Sequence, residues 1–354
     1  MAIDDHMAKL TAHSRAAMTF HELGRGVEIF CSQHGVPLPF EIEPIRAGRN
    51  SQVSKLSHGD GRWILKKYVQ SGGTQHDRLG TEFSFLAFLN GAGVVGIPRP
   101  LGMERVMHCG LYSFLPGNRP DAIAAKHISQ AASFIRTING LRQQSAALSL
   151  PLAADACFSW QDHLELTEIR VSRLMVMKLD FAVELDAYAF ITNQLLPLWS
   201  SVKAELFQEI PPMELTQPLP WAERILSPSD FGFHNTLEHQ GCLSFVDFEY
   251  AGWDDPAKLI CDFLCQPELP VTAKQGWQFT RELLENWPCA DSVIKRIDKL
   301  LPVHRLKWCC ILLNEFIPED RERRLHAGIK SEGLLAAQLS KAKSYFKVHL
   351  APLT

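Results

Sequence analysis

The run Leu226-Ser227-Pro228-Ser229-Asp230-Phe231-Gly232-Phe233-His234-Asn235, taken with Gly241-Cys242-Leu243-Ser244-Phe245-Val246-Asp247-Phe248-Glu249-Tyr250, decides how this chain is read. An Asp is followed five positions on by an Asn, and twelve further on by a second Asp. Turn and strand signals place all three around a hairpin. Three oxygen-bearing side chains on one hairpin suit a hard divalent cation such as magnesium, which takes oxygen ligands. The first Asp can instead take a hydroxyl proton during a transfer reaction. Singly, Asp230 and Asn235 read as turn caps and Asp247 as a strand end. The spacing of the three together points to chemistry.

Around this hairpin the chain has ordinary globular composition. Its 354 residues carry 36 Lys and Arg against 39 Asp and Glu, a net charge of -3. That balance gives no global field for nucleic acid or anionic lipid. Apolar runs such as Trp308 to Leu313 are far too short to span a bilayer. Met1 to Lys9 carries acids and histidine before any apolar run, unlike a secretory signal. The nine cysteines lack metal-ligand spacing and read mostly as buried thiols. His163, His234, His304 and His326 form no H-E-x-x-H pattern and read as surface or core residues. No G-x-S-x-G elbow surrounds Ser227 or Ser229, which argues against a serine hydrolase. A cytoplasmic, two-lobed protein is expected, with no nucleic-acid or membrane partner.

The texture changes near residue 120. Before it lie strand-like runs at Phe40–Ala47, Gln52–Ser57, Arg62–Val69 and Leu111–Leu115. His58-Gly59-Asp60-Gly61 has turn chemistry suited to an antiparallel hairpin. A helix is predicted over Asp77–Asn90, with Gly91 and Gly93 as stop signals. Later, Ala122–Gln144, Trp160–Lys178 and Phe181–Gln208 show helical spacing, and more helices follow residue 256. A small β-rich lobe before a larger helical one is an α+β arrangement, not a doubly wound sheet.

The hairpin resembles the catalytic and metal-binding stretch of the aminoglycoside phosphotransferase and choline kinase-like family, which has the protein-kinase-like fold. The pattern is roughly H-x-D-x-x-x-x-N, then an apolar strand ending in a metal-binding Asp. Asp230 and Asn235 match the first part, and Asp247 in Phe245-Val246-Asp247-Phe248-Glu249 the second. Ala251-Gly252-Trp253-Asp254-Asp255-Pro256-Ala257 resembles the Gly-Asp-Pro stretch that follows. The resemblance covers most of residues 40 to 317 and departs at Pro228, which stands where the pattern has histidine. It implies a nucleotide-binding lobe with a leading helical segment over residues 1–116. A helical lobe over 117–354 then carries the catalytic and acceptor sites. It also implies ATP and Mg2+ as cofactors. Asp230 is then the catalytic base, Asn235 and Asp247 hold the metal, and Asp262 braces the catalytic loop.

A kinase-like lobe requires a strand lysine paired with a helix acid to position phosphates. Strand alternation in Arg62-Trp63-Ile64-Leu65-Lys66-Lys67-Tyr68 puts Ile64, Lys66 and Tyr68 on one face and turns Lys67 to solvent. On the helix, Leu79, Phe83, Leu86 and Asn90 mark the inward stripe, and Glu82 lies on it. A buried carboxylate needs a partner, so Glu82 is assigned to Lys66. Gly48, Asn50 and Ser51 sit where a phosphate-covering loop is expected, and small polar residues let backbone N–H groups approach phosphate. Ser113-Phe114-Leu115-Pro116-Gly117 resembles the lobe connector, which implies that Ser113 and Leu115 offer backbone groups to adenine.

These residues together describe a small-molecule kinase whose acceptor is a metabolite, sugar-like compound or amino alcohol. Asn314 and Glu315, interrupting an apolar helix near its end, are candidate acceptor residues; a solvated helix end is the alternative for both. A protein kinase would need an activation segment, yet only eight positions separate Asp247 from Asp255. A nucleotide-binding protein without turnover is the other alternative, motivated by Pro228.

Overall fold

A computed structural model of the chain describes residues 20–47, 51–69, 76–318, 321 and 333–351. The architecture is α+β, as the sequence texture implies. The described residues divide into two compact units. The smaller takes the chain up to residue 69 and returns for 100–114; the larger includes 76–99 and 115–318.

The smaller unit is one five-stranded antiparallel sheet. Its strands are β1 (Glu41–Ala47), β2 (Ser51–His58), β3 (Gly61–Tyr68), β4 (Pro100–Glu104) and β5 (Cys109–Ser113), in the order β1-β2-β3-β5-β4. The β2–β3 hairpin closes on paired His58 and Gly61, with Gly59 at a φ of 54° that suits glycine. Strand β4 has no counterpart among the predicted strands, because Pro98 and Pro100 read as breaks; its register with β5 shifts between Pro100 and Gly102. The expected leading helix is Phe20–Gln33, and it buries Val27, Phe30 and Cys31 against Leu56, Leu65, Cys109 and Leu111. That packing corrects one expectation. Lys67 shares the Trp63 and Leu65 face, which the helix covers, and is half-buried instead of turned to solvent. Lys66, on the opposite face, is buried with its ammonium 5.0 Å from the Tyr68 ring centroid.

In the larger unit, helix Arg78–Gly91 starts at Asp77, whose carboxylate accepts from the Gly80 N–H at 2.9 Å. Its buried stripe is Leu79, Glu82, Phe85, Leu86 and Leu89, so Phe85 and Leu89 replace the expected Phe83 and Asn90. Asn90 instead donates to the carbonyls of Leu86 and Pro98, fastening the helix end. The segment predicted over Phe181–Gln208 is two helices, Ala182–Phe190 and Leu196–Glu209, joined by a π-helical turn at Ile191–Leu195. These helices share an apolar core with Trp160–Leu174, Ala290–Leu312 and Leu334–His349, built on residues such as Leu195, Trp199, Leu306 and Phe346.

Two short antiparallel pairs carry the hairpin: β6 (Ile225–Ser227) with β9 (Gly252–Asp254), and β7 (Thr236–His239) with β8 (Cys242–Phe245). Asn139, at the end of helix Ala125–Asn139, locks β6 in place. Its amide donates to the Leu226 carbonyl at 2.9 Å and accepts from the Leu226 N–H at 2.8 Å. Beneath the hairpin runs a column of stacked rings. Phe134 lies on Phe245 at 4.1 Å between centroids, Phe245 is 5.6 Å from Phe231, and Phe231 reaches Phe263, which stacks on Phe279 at 4.0 Å.

Beside this column lies a buried ionic network. Asp254, Asp255 and Asp262 face Lys258, Arg296 and Lys307, all of them nine-tenths or more buried. Lys258 bridges Asp254 (3.0 Å) and Asp262 (3.2 Å); Arg296 pairs with Asp255 and Lys307 with Asp262. Asp255 also caps helix Pro256–Cys265 through the Ala257 N–H at 2.7 Å. Two of the histidines read as surface or core residues, His163 and His304, are buried and meet each other. His163 Nε2 is 3.1 Å from Asp255 Oδ2, and its Nδ1 is 3.0 Å from His304 Nε2. Burial is the largest influence holding both imidazoles neutral, lowering His163 and taking His304 down to about 3.

This arrangement fixes the sign of an acid response. The unfolded chain's histidine titrates near ~6.5, above His304 in the fold, so the unfolded state binds protons first as pH falls. The stability that the neutral imidazole contributes is complete above that pH and is lost on descending towards about 3. Asp255 is also lowered, since its burial is outweighed by the Arg296 charge and the hydrogen bond with His163, and it adds acid lability below the usual carboxylate range. Replacing His304 by Gln should flatten unfolding free energy against pH by up to about 1.4 kcal/mol per pH unit between roughly pH 6 and 4. Urea titrations across that range check this, and equal slopes for both proteins would contradict it.

Candidate active site

Strand β6 runs into a loop whose backbone is set by short-range bonds. The Ser229 N–H donates to Ser227 Oγ at 2.9 Å, and Ser229 Oγ donates to the Ala154 carbonyl at 3.3 Å. Ser229 has a φ of 67° and Asp247 a φ of 70°, a left-handed conformation that costs energy for residues other than glycine. Such strain persists only where surrounding structure holds it, and here it falls beside Asp230 and at Asp247 itself. Asp230 is followed by buried Phe231, and Asp247 by buried Phe248. Each phenylalanine occupies the ring cluster while its aspartate stays partly exposed.

Asp230 and Asn235 are brought together by the 3-10 turn Phe233–Asn235. Asn235 Nδ2 donates to the Asp230 carbonyl at 3.0 Å and reaches its Oδ2 at 3.4 Å. His234 Nε2 lies 3.2 Å from the other carboxylate oxygen, Oδ1. Asn235 also accepts from the Val246 N–H at 3.0 Å, which ties the Asp230 loop to the residue before Asp247. A half-exposed carboxylate with a side-chain nitrogen near each oxygen can orient a hydroxyl and accept its proton.

Asp247 is grouped with Glu82 and Glu249, their ligand oxygens all within 4.8 Å of one another. The Phe248 N–H donates to Glu82 Oε1 at 3.2 Å, so the helix acid holds the backbone just past Asp247. Glu249 is gripped from the start of the same helix: His76 Nε2 is 2.8 Å from its carbonyl, and Arg78 Nε is 4.0 Å from Oε1. Three clustered carboxylates repel one another and present oxygen only, a donor set that fits a hard divalent cation such as Mg2+. The sequence reading assigned Asn235 and Asp247 to the metal; the structure groups Asp247 with Glu82 and Glu249, and Glu249 was not among those candidates. The available signal was an acid only two places beyond Asp247.

The remaining candidates are placed as follows. Lys66 and Ser51 are buried on β3 and β2 of the smaller unit, and Ser113 ends β5 opposite Trp63. Gly48 and Asn50 lie outside the described residues. Leu115 begins the long run of the larger unit and is half-buried. Asn314 and Glu315 form a 3-10 turn and are half-buried and buried, not a solvated end. The Glu315 carbonyl accepts from Arg321, which also bonds Glu184 at the start of helix Ala182–Phe190. Asp262 is a correction: its partners are Lys258, Lys307, His304 and Trp308, and not the catalytic loop. The anchor for that loop is instead Asn139, through Leu226.

The geometry can be set beside known proteins. No curated protein sequence matches the chain. Among solved structures, an ethanolamine kinase from Plasmodium vivax superposes with a TM-score of 0.58 at 12% identity, covering 96% of this chain and 96% of its own. The choline kinase LicA from Streptococcus pneumoniae gives 0.57 at 12% identity, over 92% and 100%. A spectinomycin phosphotransferase in complex with ADP and spectinomycin gives 0.60 at 11% identity, over 91% and 97%. Likeness at such low identity concerns the fold, and it is the protein-kinase-like fold that the hairpin implied. The family model for the phosphotransferase enzyme family matches residues 41–289, well over half of the sequence, and includes Lys66, Glu82, Asp230, Asn235 and Asp247. The chain belongs to the phosphotransferase enzyme family.

Proposed function

We propose that this phosphotransferase moves the γ-phosphoryl group of ATP, with Mg2+, to a hydroxyl of a small molecule. The observation that carries the reading is the hairpin itself: Asp230, fixed and half-exposed, lies one turn and one strand pair from the Glu82, Asp247 and Glu249 carboxylates. A base and a neighbouring oxygen-only cation site, shared between the hairpin and the helix that carries Glu82, are what in-line transfer to a hydroxyl requires. The structural neighbours include kinases solved with ADP and with ATP, which supports an adenosine nucleotide.

In this reading Asp230 orients the acceptor hydroxyl and takes its proton. Asp247, with Asn235 and the added Glu249, holds Mg2+, while Glu82 fixes the backbone beside it. The bound metal supplies neutralisation of phosphate charge. Lys66 holds phosphate oxygens, Gly48, Asn50 and Ser51 cover them, and backbone groups of Ser113 and Leu115 hold adenine. Asn314 and Glu315 are assigned to the acceptor, a metabolite, sugar-like compound or amino alcohol. Pro228 favours a second reading, a nucleotide-binding protein without turnover, and the same experiments separate the two.

Asn keeps the size of Asp but loses its charge and basicity. Asp230→Asn should bind magnesium nucleotide nearly normally and lose turnover by ~10²–10⁴. Asp247→Asn should lose turnover with a raised magnesium requirement. Magnesium titrations and nucleotide affinities for each variant check the assignment, and undiminished turnover in Asp230→Asn would sink the mechanism.

Glu249 has its own test, made without acceptor. Electron paramagnetic resonance of Mn2+ added with nucleotide should show binding weakened about tenfold or more in Glu249→Gln. Unchanged affinity would remove Glu249 from the metal site.

A further inference from the structure

Pro228 stands where the related pattern carries a histidine two places before the aspartate, and proline offers Asp230 no hydrogen-bond donor. His234 is the side chain placed to supply one. It is 92% buried, at a relative exposure of 8%, on the 3-10 turn Phe233–Asn235. Its Nε2 lies 3.2 Å from Asp230 Oδ1, while its Nδ1 has no hydrogen-bond partner among the described residues. A neutral imidazole carries one N–H, and the nitrogen that faces a carboxylate is the one that keeps it. The ring is also confined. A Cβ on Gly232 would come within 2.8 Å of His234 Nδ1 and 3.1 Å of Gln266 Cγ, so glycine at 232 makes the room that the imidazole occupies.

We infer that His234 is the positioning residue for Asp230, donating from Nε2 to Oδ1 while Asn235 engages Oδ2, so that consecutive residues fix both oxygens of one carboxylate. The pairing stops rotation about the carboxylate bond and leaves the remaining lone pairs aimed at an incoming hydroxyl. A misplacement near 1 Å at a reacting group costs about 10²-fold in rate, which sets the size of effect at stake. On this account Pro228 does not mark a lost activity, because the donor to Asp230 comes from His234, on the other side of the aspartate in sequence. The inference rests on the phosphotransfer reading for its catalytic consequence, but not for the contact itself.

The contact is tested first, on the wild-type chain labelled with ¹⁵N-histidine. His234 should appear as the Nε2–H tautomer, and its resonances should move on Asp230→Asn more than those of His163 or His304. An Nδ1–H tautomer, or no response to Asp230→Asn, overturns the inference whether or not turnover is found. Kinetics then tests the consequence. His234→Leu should lower kcat about 10²-fold with the KM for ATP unchanged. His234→Gln, which restores an N–H near the Nε2 position, should recover kcat to within a few-fold of wild type. Equal losses in the Leu and Gln variants, or full kcat in His234→Leu, also overturn it. Absence of turnover in the wild type on every hydroxyl compound would count against the phosphotransfer reading alone, with the tautomer result still deciding the contact.

Discussion

Everything at the hairpin depends on the ring column that runs from Phe134 through Phe245 and Phe231 to Phe263 and Phe279. Phe231 is a member of the column and Phe248 lies against Phe134 beside it, and each immediately follows an aspartate. Burial of an aromatic side chain is a strong, non-directional pull, worth roughly 1.5–3 kcal/mol for a residue such as Phe. Drawing each phenylalanine into the rings leaves the aspartate before it at the partly exposed edge of the packing. The left-handed backbone at Ser229 and Asp247 is held against its preference by this packing and by the short bonds to Ser227 and Ala154. Two partly exposed carboxylates, Asp230 and Asp247, are thereby held on a packed support.

The ionic network plays a different part. Three acids and three bases lie together with two neutral histidines, so charge is balanced although every member is taken out of water. Desolvation makes such a network a doubtful source of net stability, but removing any one member strands its partner at a cost of about 3–5 kcal/mol. Its directional bonds join helices Trp160–Leu174, Pro256–Cys265 and Ala290–Leu312 to the strand end at Asp254. Asp254 also accepts from the Cys157 N–H at 3.1 Å, and Ala154, three residues earlier, receives the Ser229 hydroxyl. The network therefore reaches the loop that carries Asp230 through one short segment.

Much of this was legible because it was local. The β2–β3 hairpin followed from Gly59-Asp60 between alternating strands, and helix Arg78–Gly91 from the Asp77 cap and the closing glycines. The Asp230, Asn235 and Asp247 spacing likewise lies within one hairpin. What stayed hidden depends on partners distant in sequence. The Lys67 face is decided by a helix some forty residues earlier, and the stripe of helix Arg78–Gly91 by Phe248 against Phe85. His163 and His304 are 141 positions apart and meet only in the fold. His234 was passed over because its significance is a distance to Asp230, and Glu249 because its acid companions Glu82 and Asp247 come from two elements.

The central claim is that Asp230 directs phosphoryl transfer to a hydroxyl. It is tested most directly by incubating the protein with Mg2+, γ-¹⁸O-labelled ATP and a broad pool of hydroxyl metabolites, then analysing products by mass spectrometry. The account predicts at least one metabolite carrying labelled phosphate through a phosphate ester, formed by the wild type and nearly abolished in Asp230→Asn. A labelled ester formed equally by both proteins, or label recovered only as inorganic phosphate across the whole pool, would contradict it.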